Sequence, residues 1–185
     1  RSELYFGPLK GALVEGQVVA GSFTKFGQKY KSYALETATE NRIATTVSPR
    51  FLHIATHGFF LEPPQGTDKA VQHPLLRSGL AFANANVNLN SAEESNQDGI
   101  LTAMEALSLR LEGTDLVVLS ACETGVGDIN TGEGVYGLQR AFIEAGAKAV
   151  LYTLWEIDDE ATTYFMAVFY EHFMGGVNSQ EALRL

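Results

Sequence analysis

The chain has a single cysteine, Cys122, among 185 residues. An internal disulfide framework is therefore excluded, and a reducing compartment, the cytoplasm, is expected. Basic residues are also scarce: 13 Lys and Arg stand against 22 Asp and Glu, a formal net charge of −9. Binding to phosphate backbones needs clustered Lys and Arg, so no direct nucleic-acid partner is expected. The balance mildly favours a cationic partner or substrate, though a plain solvated acidic surface is the more common meaning of such a charge. No apolar run approaches the roughly 18 residues of a membrane span, so no membrane association is expected. No internal repeat is visible.

What is present suits a globular protein, with 45% hydrophobic and 19% charged residues. The length fits one domain over residues 1–185 with a substantial core. There is no initiator Met, and residues 178–185 open a helix, with Ser179 as its N-cap, that stops after about one turn. A fragment of a longer multidomain protein is the expectation.

Apolar periodicity alternates between helix and strand. A weak helical pattern covers 8–20, blunted by Gly11 and Gly16. Residues 33–35 read as a strand, and Thr37 with Glu40 has capping-box spacing for a helix to about Val47, stopped by Pro49. Phe51–Ala55 is the first strong strand; 59–79 reads as a surface loop over strand ends, 80–89 as a strand, and 91–99 as a mobile acidic segment. A short helix is predicted over 101–109, a buried strand over Leu116–Ser120 and a glycine-rich loop over 123–134. An amphipathic helix follows over 135–145 with Gly146 as C-cap, then a strand over 149–154 and a helix over Asp159–Met174. The alternation predicts an α/β fold, a parallel sheet with helices on both faces.

Two of these strands end alike. Phe51-Leu-His-Ile-Ala-Thr-His-Gly58 closes on His57-Gly58, and Asp115-Leu-Val-Val-Leu-Ser-Ala-Cys-Glu-Thr-Gly125 carries Cys122 past its apolar run. In open α/β sheets, sites form outside the carboxyl ends of the strands. Neighbouring strands of this kind would join imidazole and thiol, as a cysteine nucleophile requires. A lone cysteine after a buried strand is more often an inert core residue. Here Thr124-Gly-Val-Gly127 follows instead of more core, and N–H groups of such a turn can donate to a developing oxyanion. A neighbouring imidazole would supply thiolate character.

The other chemistry-bearing residues admit plainer roles. His53 falls mid-strand and reads as a packed core histidine. A zinc site would need three or four of His53, His57, His73 and Cys122, whose spacing matches no metal pattern; neither metal nor cofactor is expected. Glu156, Asp158 and Asp159 follow the third strong strand. Asp158 or Asp159 can cap the next helix, or one of the carboxylates can line a pocket beside Cys122 and select a cationic side chain. Glu123 can tune the site's polarity or face solvent.

The His-Ile-Ala-Thr-His57-Gly-Phe-Phe and Val-Val-Leu-Ser-Ala-Cys122-Glu-Thr-Gly segments resemble the histidine and cysteine motifs of CHAT domains. Thr131-Gly-Glu-Gly-Val-Tyr-Gly-Leu-Gln-Arg-Ala-Phe142 and Gly146-Ala-Lys-Ala-Val-Leu-Tyr-Thr-Leu-Trp155 resemble the next two blocks of that family. These are caspase-like, separase-related cysteine peptidases often joined to tetratricopeptide repeats. The resemblance implies a caspase–hemoglobinase-like α/β fold, a three-layer αβα sandwich around a mostly parallel sheet. It implies a Cys–His dyad, with Cys122 as nucleophile and His57 as general base and acid, and an oxyanion hole from the N–H groups of Gly58 and Cys122. Trp155-Glu-Ile-Asp-Asp159 matches a separase-like pattern, which points to Asp159 as the specificity carboxylate with Asp158 as rival, and to cleavage after Arg or Lys.

The implied activity is endopeptidase cleavage of a protein or peptide through an acyl-enzyme, regulated by a tetratricopeptide-repeat or other domain in the same or a partner chain. Two rivals stand beside it. One is a scaffold on the same fold that binds proteins without cutting them, since fold does not fix function. The other is a latent peptidase whose loops at 59–79 and 123–134 are ordered by a partner.

Overall fold

A computed structural model describes residues 5–61, 74–89, 97–121, 133–153 and 158–185. Its strands are β1 (Phe51–Ala55), β2 (His57–Phe60), β3 (Ser78–Ala81), β4 (Ile100–Thr102), β5 (Leu116–Ser120) and β6 (Val150–Tyr152). Its helices are α1 (Lys10–Lys25), α2 (Glu40–Ala44), α3 (Ala85–Leu89), α4 (Ala103–Ala106), α5 (Glu133–Glu144), α6 (Asp159–Met174) and α7 (Ser179–Ala182). The chain falls into two compact units: Arg1–Gly7 with Leu35–Glu156, and Pro8–Ala34 with Ile157–Leu185.

The first unit is built on a parallel sheet in the order β1-β5-β6. Phe51 pairs with Leu116 and Ala55 with Ser120, while Val117 pairs with Val150 and Leu119 with Tyr152. A central parallel strand has both faces covered and so reads as an unbroken apolar run; Leu116 to Leu119 are all buried. Leu138, Ala141 and Phe142 of α5, with Ala145 just past its end, recur at helical spacing and join Val117 and Leu119 in one core with Ile43, Ala103 and Ala106. Phe142 is fully buried, an environment that contributes roughly 1.5–3 kcal/mol for such a side chain. Charge ties the amino-terminal edge of the sheet. Asp115 accepts from Lys148 Nζ at 2.7 Å and from Arg50 Nε at 3.1 Å, and these two bonds hold its carboxyl below its ordinary range.

A second sheet, β2-β3-β4, is antiparallel, an arrangement that the sequence pattern does not predict. The strand predicted over 80–89 is only its first two residues: β3 stops at Ala81, Asn84 takes φ 73, and α3 follows. The strand expected at 33–35 does not form, because Leu35 has φ 51 and opens a three-residue 3₁₀ turn. The Thr37–Glu40 capping box does not form either. Helix α2 starts after Thr39, and Glu40 is buried with its Oε2 accepting the Gly99 N–H at 3.0 Å. A capping box does form between Thr102 and Glu105 at the head of α4. Gly146 takes φ 110 just past α5, where a Cβ-free residue is favoured.

The second unit contains α1, α6 and α7. Helices α1 and α6 pack together, with Glu15, Val19, Met166, Phe169 and Tyr170 buried. Phe23 and Phe169 lie against Tyr170 at centroid distances of 5.8 and 5.3 Å, and Lys25 bonds Glu171 at 2.5 Å. Helix α6 has the bounds predicted; α7 is capped by Asn178 rather than Ser179, its side chain accepting from Glu181 N at 2.9 Å. Among the described residues no helix is long and apolar enough to cross a membrane.

Candidate functional site

The carboxyl ends of β1 and β5 are joined one residue beyond their last pair. Thr56 N–H donates to the Ser120 carbonyl at 3.1 Å, and the Thr56 hydroxyl donates to the Ala81 carbonyl of β3. Thr56 thus links the two sheets, and the next residue, His57, opens β2 opposite Ala81.

His57 is half-buried, with Nε2 2.6 Å from the Gly7 carbonyl oxygen. A carbonyl only accepts, so Nε2 carries the proton and Nδ1 is the lone-pair nitrogen of the neutral ring. The Phe6 ring lies 5.6 Å from the imidazole and 5.9 Å from Phe59. Gly58 is buried and pairs with Leu80. A cavity of about 30 Å³ lies where these elements meet. Gly58, Leu119, Ala121, Tyr152 and Thr153 line it, bringing the residue after His57 together with the ends of β5 and β6. Burial pushes the Tyr152 phenol up, and its hydroxyl meets Gln139 Oε1 at 3.1 Å.

The expected site residues are placed unevenly. Gly58 lines the cavity and His57 immediately precedes it at the start of β2, and His53 is half-buried mid-strand opposite Val118. Cys122 and Glu123 lie outside the described residues, directly after the cavity-lining Ala121. Asp158 is the N-cap of α6: its Oδ1 accepts from Glu160 N at 3.0 Å and Ala161 N at 3.2 Å. Asp159 is the first residue of that helix, and its side chain lies outside the described residues. Phe6, Gly7, Thr56 and Asn86 carry no signal in the sequence. Their contacts span 25 to 80 residues of chain, beyond the reach of any local pattern.

A family model for the CHAT domain matches residues 1–185, and the chain belongs to that family. Its mixed α/β architecture, a parallel sheet flanked by helices, is the caspase-like fold expected. Two curated relatives share the name Tetratricopeptide repeat protein 28. The protein from Mus musculus is 29% identical over 161 residues, covering 79% of this chain and 6% of its own length. The protein from Homo sapiens is 37% identical over 87 residues, covering 47% of this chain and 3% of its own length. The chain therefore spans only a small part of each relative.

Proposed function

We propose that the chain is a cysteine endopeptidase domain, one domain over residues 1–185 of a longer cytoplasmic protein, that cuts after Arg or Lys. One observation carries this reading. Ala55 and Ser120 are register partners in neighbouring parallel strands, and His57 and Cys122 each come two residues later. Adjacent strands run about 4.8 Å apart, so equal offsets favour an imidazole and a thiol within reach of one another. The cavity lined by Gly58 and Ala121 at that edge supports it.

In this reading the Cys122 thiolate attacks the carbonyl carbon after the basic residue, and the N–H groups of Gly58 and Cys122 hold the oxyanion. His57 takes the thiol proton on Nδ1 and gives it to the leaving amine. It then draws a proton from the water that hydrolyses the acyl-enzyme. The Gly7 carbonyl, by accepting from Nε2, favours the tautomer that this step needs. Each oxyanion donor is worth roughly 2.7–4 kcal/mol in comparable acyl transfers. Asp159 is the better candidate for the basic side chain, because the Asp158 carboxylate is engaged by two helix N–H groups. Glu123 would add negative charge beside it. A tetratricopeptide-repeat segment as regulatory partner is supported by the names of the relatives.

The rival reading is a scaffold on the same fold that binds proteins without cutting them. Hydrolysis of fluorogenic peptides ending in Arg, Lys, Asp or Leu, compared with Cys122→Ala, separates the readings. Turnover after Arg or Lys that vanishes in the variant is expected. Turnover that survives Cys122→Ala would refute the peptidase assignment.

A further inference from the structure

We propose that Asn86 is a positioning residue for His57, acting through a two-point clamp on the backbone of Phe6. This rests on the reading of His57 as general base. Asn86 lies in α3, brought there by the turn at Asn84. Its Oδ1 accepts the Phe6 N–H at 2.9 Å, and its Nδ2 donates to the Phe6 carbonyl at 2.7 Å. One side-chain amide thus satisfies both backbone groups of a residue, as a neighbouring strand would.

The clamp matters because Gly7 is the next residue. Residues 5–9 belong to no helix or strand, so no ladder fixes them. Glycine has the widest backbone freedom of any residue type, yet the Gly7 carbonyl must meet His57 Nε2 at 2.6 Å. Fixing the peptide groups on both sides of Phe6 leaves only the Gly7 torsions to aim that carbonyl. The buried Phe6 ring, packed on His57 and Phe59, holds the same segment from its other side. Asn86 therefore sets the direction of the Gly7 carbonyl, and through it the imidazole's tautomer and tilt.

NMR of the imidazole nitrogens in the 185-residue chain tests this without requiring activity. The parent is expected to show His57 as one Nε2–H tautomer. Asn86→Ala removes both clamp bonds; Asn86→Asp, of the same size, keeps the acceptor and loses the donor, and serves if the first variant fails to fold. Both are expected to move His57 towards a mixture of tautomers while His53 and His172 keep their parental signals. In peptide turnover, kcat should fall about tenfold or more with KM nearly unchanged, the mark of a misplaced catalytic group. Parental His57 signals in the folded variants would overturn the proposal. Altered His57 signals in a chain that cleaves no peptide would support the clamp and count against the peptidase reading alone.

Discussion

Thr56 donates its backbone N–H to the carbonyl of Ser120 at 3.1 Å, carrying the β1–β5 ladder one residue past the last strand pair. Its hydroxyl holds the Ala81 carbonyl of the second sheet, so one residue fixes the joint from which His57 emerges. Thr56→Val keeps the shape and loses the hydroxyl bond. A loss of about 1 kcal/mol is expected in denaturant unfolding, with a larger proportional loss of any peptide turnover. Unchanged stability would show that the joint is held by the backbone alone.

Asp158 and Asp159 separate by experiment although they are neighbours. Asp158→Ala should cost about 1 kcal/mol of stability, the worth of an N-cap that accepts from Glu160 N and Ala161 N, and leave substrate preference alone. Asp159→Asn should leave stability nearly unchanged and lower kcat/KM for Arg and Lys peptides by roughly 2 kcal/mol, about thirtyfold. The reverse pattern would exchange their roles.

Gly79 has no room for a side chain: a Cβ there would lie 2.7 Å from the Leu101 carbonyl oxygen and 2.7 Å from Phe59 Cζ. Gly79→Ala must push β3 from β4 or displace Phe59, at a cost of roughly 1–3 kcal/mol. Gly16 is the contrast, since a Cβ there meets nothing within 4 Å inside α1. Gly16→Ala should stabilise by about 0.5–1 kcal/mol. Thermal melts of both variants check the opposite signs.

Glu40 predicts a pH dependence of stability. Burial raises its carboxyl to about 7, against the opposing Gly99 N–H and with Asp98 and Glu105 adding to the rise. A folded value above the unfolded one means that the native state holds the proton more tightly. Its contribution is fully present below about pH 4.5 and is lost as pH rises through about 7. Glu40→Gln still accepts from Gly99 and cannot ionise. The Tm of the parent, relative to this variant, should fall between about pH 5 and about pH 8. A flat difference would show that Glu40 does not titrate in that window.

The elements legible in the sequence are those whose signals are local. The apolar run of β5 and the Asp158 cap of α6 carry their own boundaries. The antiparallel sheet is hidden because β2 begins a single residue after β1, so both read as one strand and its exit. Glu40 shows a local rule overridden: its spacing from Thr37 suits a capping box, but the carboxylate is taken by Gly99, 59 residues away. His57 is marked as a candidate in the sequence by its glycine and strand end, and it opens β2. Its orienting contacts with Phe6 and Gly7 come from about 50 residues upstream and have no local signature.

The proposed peptidase function depends on activation of Cys122 by His57. The most direct measurement is covalent labelling by an Arg-directed acyloxymethyl ketone, read by mass spectrometry in the parent and in His57→Ala, because it registers an assembled dyad even where turnover is slow. Label on Cys122 in the parent and its loss in His57→Ala are expected. Equal labelling of both chains, or none above that of an ordinary exposed thiol, would contradict it.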